Sequence, residues 1–371
     1  MNRFRLLTPL VLNPNIRFQS TVVLPRDLNI LSNGEIKISK GLNGRSSRTG
    51  YTATVFGSTS FLGSYVATRL AKNGTITVCP FRDDLKKRFL KVAGDLGVVN
   101  FVEFDLRNIE SIKESVKYSD IVYNFIGVDY NTKNFSMADV NIEGARRIAQ
   151  ASKDAGVNRF IHISSYNADK DSTSIFYKTK AIGEEVVRDI IPDATIVRPS
   201  IAYGYEDQFL NRLAETFRLF TVNNSQEVIN PVHVIDLAAA LEKIGFDDST
   251  IGQTFELYGP DRLNIKEIRD LIQQVTLKNY KQINVPKDLA IKVSEFLQLF
   301  WWRMVNPDQI ERQFIDQKIS NDVKTFANLG IEPNRLQDLV YRYTAHFRDY
   351  THAQDLPPNV KQSRPGIKLV N

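Results

Sequence analysis

The chain has 371 residues, 42% apolar and 24% charged, enough for about two globular domains or one enlarged fold. A single cysteine, Cys79, excludes an internal disulfide framework, and four scattered histidines without partners at ligand spacing argue against a zinc site or any other metal centre. No run approaches about 18 uninterrupted apolar residues, so no segment is expected to span a bilayer. The net charge of +6 lies largely in the two ends, which does not make a nucleic-acid surface.

Residues 1–26 hold Arg3, Arg5, Arg17 and Arg26 and no acid; the first is Asp27. Arginine, leucine and hydroxyl residues without acids are the composition of a mitochondrial presequence. Arg17-Phe18 before Gln19 marks a processing site, giving a presequence over 1–18 and an N-terminal extension over 19–50. Removing Arg3, Arg5 and Arg17 takes the charge from +6 to +3. Pro9 and Pro14 restrict any helix there, and a disordered basic tail is the competing reading.

Tyr51 to Phe56 is a β-branched and aromatic run ending at Gly57, the pattern of a buried strand. GSTSFLG follows, then SYVATRLAKNG with helical spacing up to Gly74, then TITVCPFRDD as a second strand. Strand, glycine-rich turn, helix and strand form a dinucleotide-binding unit, in which the pyrophosphate rests on the helix N-terminus. Alternation continues with strands at 98–104, 121–126, 159–163 and 194–197 and helices at 109–116, 138–155 and 181–191. Such a rhythm predicts an α/β fold, a doubly wound parallel sheet covered on both faces, over residues 51–200. Ligands on such sheets bind at the carboxyl ends of the strands, where Gly57, Arg82, Asp105, Gly127, Ser165 and Pro199 fall.

After Pro199 strict alternation stops. A helix is expected over 207–220, a strand-like QEVINPV, a helix opened by Asp236, GQTFELYGP as a strand and a helix over 264–276. These make a smaller, discontinuous α/β domain over 201–350, with about 228–256 returning to the first domain. PKDLAIKVSEFLQLFWWRMVNP predicts an amphipathic helix over about 287–304, with Leu289, Val293, Phe296 and Phe300 on one face. Trp301 and Trp302 widen that surface, which either joins the core or docks on a membrane interface or apolar partner. Residues 351–371 read as an extended basic tail without the aromatic interleaving of a nucleic-acid arm.

VFGSTSFLG, VEFDLRN, VNIEGARRIAQASKDAGVNRFIHISS, KAIGEEVVRD and IVRPSIAYG together resemble the extended, or atypical, short-chain dehydrogenase/reductase superfamily. GLNGRSSRTGYTATVFGSTSFLG, with KVAGDLG, NFIG, TKNF and RPSIAYGYEDQFLNR, is similar to the nucleotide-binding accessory subunits of mitochondrial respiratory complex I, over roughly 41–350. The resemblance implies a Rossmann domain and a place on the matrix side of the inner membrane, among other complex I subunits and within reach of lipid. By position it implies a phosphate turn of Gly57, Ser58, Thr59, Ser60, Phe61, Leu62 and Gly63, where the family pattern expects glycine at Ser60. Asp105 and Leu106 would sit against the adenine, with Ile126 and Gly127 beside the cofactor; Ser164, Ser165, Lys180, Pro199 and Ser200 complete the implied binding set. An NAD site wants an acid about twenty residues past the first glycine. This chain has Thr77 and Val78 there, then Arg82, which suits a 2′-phosphate and favours NADPH over NADH. A surface pair between Arg82 and Asp83 or Asp84 is the competing reading.

In these reductases a serine polarises the substrate oxygen and a tyrosine transfers the proton, four residues before a lysine that lowers its pKa. By the resemblance the lysine would be Lys180 and the hydroxyl Ser165, ahead of Ser164; both serines merely capping the strand end is the competing reading. The tyrosine position holds Phe176, which cannot transfer a proton. Tyr177 stands one residue on, rotated about a quarter turn from the required face, and an active reductase or epimerase using it is the alternative. The expectation is therefore a bound NADPH that is not turned over. His162 and His233 are expected to be structural, Asp236 to cap its helix, and Asn141 to be a polar anchor inside a helix.

Overall fold

The computed structural model describes residues 28–30, 36–41, 47–215, 218–278, 281–298, 306–320 and 322–348. The expected presequence, the expected tail and Phe300 to Met304 of the expected helix lie outside these residues.

Strands β1 (Leu28–Ile30) and β2 (Ile36–Ile38) pair as an antiparallel ribbon, tied to the body by Lys37 on Asp120 at 2.8 Å. Strand β3 (Thr52–Phe56) then enters the core, followed by α1 (Phe61–Lys72), β4 (Ile76–Phe81), β5 (Val99–Glu103), α2 (Ile109–Val116) and β6 (Ile121–Asn124). Next come α3 (Ala145–Asp154), β7 (Arg159–Ile163), α4 (Ile175–Ile190) and β8 (Thr195–Pro199). Beyond them the chain forms β9 (Ala202–Tyr203), α5 (Leu210–Glu215), β10 (Arg218–Thr221), β11 (Val228–Ile229), β12 (Val232–His233), α6 (Val234–Phe246) and β13 (Thr254–Leu257). The last elements are β14 (Leu263–Asn264), α7 (Ile265–Thr276), β15 (Lys281–Asn284), α8 (Lys287–Gln298), α9 (Pro307–Arg312) and α10 (Leu336–Thr344).

Seven parallel strands form one sheet in the order β13-β8-β7-β6-β3-β4-β5. Its order reverses between β3 and β6, so the crevice for a ligand opens above Phe56 and Asn124. Helices α1 and α6 bury Val66, Leu70, Leu237 and Leu241 on one face; α2, α3 and α4 bury Ile112, Ile148 and Val187 on the other. The doubly wound parallel fold read from the sequence is the fold observed.

A smaller apolar cluster joins α5, α7 and α10 through Leu210, Ile268, Ile272, Leu336 and Val340. The expected helix over 207–220 is confined to α5, and Arg218 to Thr221 instead pair in parallel with Lys281 to Asn284. Asp207 accepts from the amides of Gly204 and Asn211, which fixes the start of that helix. The continuous helix expected over 138–155 opens with a wide π turn, Asp139–Gly144, before α3.

Residues 306–320 strap the smaller cluster to the sheet. The Asp308 carboxylate accepts from the Ser174 hydroxyl at 3.0 Å and the Ile175 amide at 2.6 Å, closing the N-terminus of α4 from 134 residues away. Asn306 donates to the Asp129 carbonyl, Gln317 accepts from Ser200 and Asn230, and Ser320 donates to Glu256 of β13.

Candidate functional site

The turn after β3 is built around two glycines. Gly57 has φ +79°, a left-handed conformation costly for other residues, and a Cβ there would stand 3.2 Å from that of Phe125. A Cβ on Gly63 would lie 2.2 Å from the Gly57 carbonyl oxygen, so only glycine lets α1 start this close to β3. Ser60 has extended backbone and caps α1, its hydroxyl accepting from the Gly63 amide at 3.2 Å. The serine that replaces the family's glycine is thus accommodated by the helix itself. No acid occupies the first turn of α1, which leaves its free amides and positive dipole end open to an anion.

Above this turn lies a cleft of about 470 Å³ between the ends of β3, β4 and β6, large enough for part of a dinucleotide. Gly57, Thr59, Ser60 and Arg82 line one side, and Asp105, Leu106, Ile126 and Gly127 line the other. Ser58, Phe61 and Leu62, expected in the binding set, do not line this cleft. Ser58 is buried with its hydroxyl toward the Pro80 carbonyl, Phe61 approaches Gly204, and Leu62 packs against the core. The Asp105 carboxylate accepts from the Arg107 amide, and Leu106 is buried against Gly144.

The competing pairing of Arg82 is not formed. Asp84 is held by Lys87 at 2.6 Å and by Arg88 at 3.8 Å, and Asp83 accepts from the Leu85 amide. Arg82 is left facing the cleft. Sequence reasoning missed Lys86 beside it, as well as Tyr130 and Phe135 on the loop after β6. The basic run Arg82 to Arg88 was the available signal for Lys86.

Ser164, Ser165, Lys180, Pro199 and Ser200 stand outside the walls of that cleft, at the ends of β7 and β8 and on α4. Lys180 is fully buried and donates to the Ile163 carbonyl at 3.2 Å. Burial pulls its ammonium down to about 8, opposed by Glu184 and Asp129. Its Nζ would lie 2.6 Å from a Cβ on Gly127, so that glycine brings Lys180 next to the cleft. Asn141, in the π turn, clamps Val128 by donating to its carbonyl and accepting from its amide, both at 3.0 Å. The Ser200 hydroxyl donates to Gln317 at 2.7 Å. Ser165 is buried beside Ser164, whose hydroxyl has no partner among the described residues.

Phe176 lies in the first turn of α4, four residues before Lys180. The Arg312 guanidinium lies 4.7 Å from the ring centre of Phe176 and is held by Asp129 at 3.1 Å and Asp308 at 3.4 Å. Tyr177 is 1% exposed and packs edge-on against Tyr166, with 5.6 Å between ring centres. Its hydroxyl faces Tyr166 without reaching hydrogen-bond geometry and bonds neither Ser165 nor Lys180. Burial pushes that phenol up to about 12, partly offset by the Arg312 guanidinium. A second cleft of about 380 Å³ is lined by Tyr166, Ser225, Glu227 and Arg312. Burial raises the Glu227 carboxyl to about 7, opposed by Arg312.

His162 is buried against Asn124, Nδ1 to Nδ2 3.2 Å, and burial, then Lys180, pulls it down to about 3. His233 pairs through Nε2 with the Tyr343 hydroxyl at 2.8 Å. Both side chains are buried. The expectation that Asp236 caps its helix does not hold: α6 begins at Val234, and the Asp236 carboxylate accepts from the Asn334 amide and side chain instead.

Residues 53–244 match the family model of the NAD dependent epimerase/dehydratase family. The chain is 49% identical over 339 residues to the mitochondrial NADH-ubiquinone oxidoreductase 40 kDa subunit of Neurospora crassa, covering 91% of this chain and 90% of that one. It is 35% identical over 345 residues to mouse mitochondrial NADH dehydrogenase (ubiquinone) 1 alpha subcomplex subunit 9, covering 90% and 89%. Among solved structures, a nucleoside-diphosphate-sugar epimerase from Staphylococcus aureus superposes with a TM-score of 0.62 at 19% identity, covering 78% of this chain and 99% of that one. A UDP-glucuronic acid 4-epimerase from Bacillus cereus, solved in complex with NAD, gives 0.56 at 18% identity, covering 63% and 87%. These likenesses between structures establish the fold.

Proposed function

We infer the role of this chain from its membership: it belongs to the NAD dependent epimerase/dehydratase family and, within it, to the family of mitochondrial NADH-ubiquinone oxidoreductase 40 kDa and alpha subcomplex 9 subunits. We propose that it is a non-catalytic accessory subunit of complex I, on the matrix side of the inner membrane, that holds NADPH as a structural ligand. The observation that supports this reading is a tight turn shaped by Gly57 and Gly63 in a chain that has no tyrosine four residues before Lys180. Phe176 stands four residues before Lys180, and the Tyr177 hydroxyl bonds neither Ser165 nor Lys180.

The residues fit such a ligand. The α1 amides and the acid-free first turn suit a pyrophosphate, Arg82 suits a 2′-phosphate, and Lys180 lies beside Gly127 where a nicotinamide ribose would reach. When bound, NADPH would supply a hydride; the chain's own groups here position and shield without supplying the proton that reduction also needs. Losing a general acid costs about 10²- to 10⁴-fold in rate while leaving binding contacts in place. A retained ligand stabilises the fold in proportion to how far its concentration exceeds its dissociation constant.

The partners on this reading are the other complex I subunits, with lipid as a peripheral contact. Leu289, Val293 and Phe296 are 53%, 46% and 66% exposed along α8, so this face does not join the core. With Lys292 beside them they suit an interfacial surface.

The test is to extract nucleotide from the purified complex before and during NADH-driven quinone reduction. One NADPH per copy of this chain, unchanged through turnover, is the expected result. Oxidation on the catalytic timescale, or a chain carrying no nucleotide, overturns the proposal.

A further inference from the structure

We propose that Asp129, tied by Asn306 and Arg312, is a latch on the loop that walls the nucleotide cleft, and that these three positioning residues set how slowly a bound dinucleotide leaves. This rests on the reading of the cleft as a nucleotide site and names what holds that site closed.

Residues 128–135 follow β6, and Val128, Tyr130, Thr132 and Phe135 among them line the nucleotide cleft. Nearby segments fix this loop at both ends. Asn141 clamps Val128 through both of its backbone groups. Arg107 donates to the Asn134 carbonyl at 2.9 Å, with its guanidinium 4.3 Å from the centre of the Phe135 ring. Between these anchors Asp129 faces the other way and lines the second cleft. Asn306 donates to its carbonyl at 2.8 Å and Arg312 to its carboxylate at 3.1 Å, from 177 and 183 residues further along the chain.

An ion pair between two mobile surface side chains would be worth little. Asp129 is half exposed, but its partner is ordered in advance. The Arg312 side chain is 17% exposed, lies over the Phe176 ring and bonds Asp308, whose carboxylate closes α4. Lys287 of α8 holds Glu311 of the same short helix at 2.9 Å. The guanidinium therefore gives up little freedom when the loop docks on it. Moving the loop aside breaks the ion pair and the amide-to-carbonyl bond together. Both entry and exit are slowed by that cost, so a ligand that is not turned over is kept by rate as well as by affinity.

The experiment follows NADPH fluorescence on the full chain by stopped flow, release after mixing the loaded chain with excess NADP⁺ and entry after mixing the free chain with NADPH. The set is the wild type, Arg312→Ala, Arg312→Lys and Asn306→Asp. Asn306→Asp keeps the oxygen that caps α9 at the Asp308 amide and loses the donor to Asp129, so its fold is expected to be intact. Release is expected to quicken about tenfold in Arg312→Ala and about threefold to fivefold in Asn306→Asp, with Arg312→Lys between the wild type and alanine. Entry rises in the same variants, so affinity changes less than release, and hydrogen exchange rises at 128–135 but not in β3 or β6. Faster release with unchanged entry means that these residues only shape the bound state, and the latch is refuted. Unchanged release in Arg312→Ala and Asn306→Asp, beside a wild type that retains NADPH, also refutes it and leaves the nucleotide reading standing. A wild type that takes up no nucleotide overturns the nucleotide reading and the latch with it.

Discussion

Replacing Asp308 by alanine removes the group that closes the start of α4. The carboxylate is 6% exposed and takes both the Ser174 hydroxyl, itself fully buried, and the Ile175 amide. It also faces the Arg312 guanidinium at 3.4 Å. Hydrogen bonds to a charged acceptor contribute about 1.5–3 kcal/mol each, and leaving one half of a buried charge pair uncompensated costs about 3–5 kcal/mol. Since Arg312 keeps Asp129 as a partner, a loss of about 3–5 kcal/mol is expected for the whole set, and about half of that for Asp308→Asn, which retains one acceptor oxygen. The measurement is urea unfolding of the full chain, combined with hydrogen exchange at the first amides of α4. Exchange of those amides is expected to rise well before that of β3 or β6. An unchanged urea midpoint together with unchanged exchange at Ile175 would falsify the idea that this carboxylate holds the helix.

Gly63→Ala puts a methyl 2.2 Å from the Gly57 carbonyl oxygen, inside contact distance of backbone that cannot rotate away. A stability loss of about 1–3 kcal/mol is expected together with loss of NADPH retention, and a variant that still retains nucleotide sinks the tight-turn argument. Tyr177→Phe deletes a buried hydroxyl that has no partner among the described residues, so the urea midpoint is expected to hold or rise; a drop of more than about 1 kcal/mol would mean the hydroxyl is bonded after all. Glu227 is raised from 4.5 to about 7, so the folded state binds its proton more tightly than the unfolded state. That stability is fully present below pH 4.5 and is lost as pH rises through 7. Glu227→Gln cannot titrate, so it should gain on the wild type between pH 5 and 8, and parallel stability curves would contradict the burial of this carboxyl.

The sheet was legible because its signals are local. β-branched runs stop at Gly57 and Gly127, helices stop near Gly74 and Gly156, and each sits within one element of the next. The substitution at Phe176 was legible for the same reason, four residues from Lys180 on one helix. Contacts across the chain were not. Nothing near Ser174 announces that its partner is Asp308, and Arg218 to Thr221 look helical until Lys281 to Asn284 supply a parallel strand. The π turn at Asn141 escaped because an extra residue per turn leaves the hydrophobic pattern on either side intact.

The strap has a temporal corollary. Residues 306–320 leave the ribosome after every strand of the seven-stranded sheet, yet they close the helix that carries Lys180 and tie down Asp129 beside Gly127. A newly made chain therefore closes the start of α4 only after all seven strands of the sheet have emerged. A copy cut short before Asn306 can stack its parallel sheet but leaves Ile175 and Ser174 bare, so premature termination there yields a polypeptide recognisable by its unprotected α4.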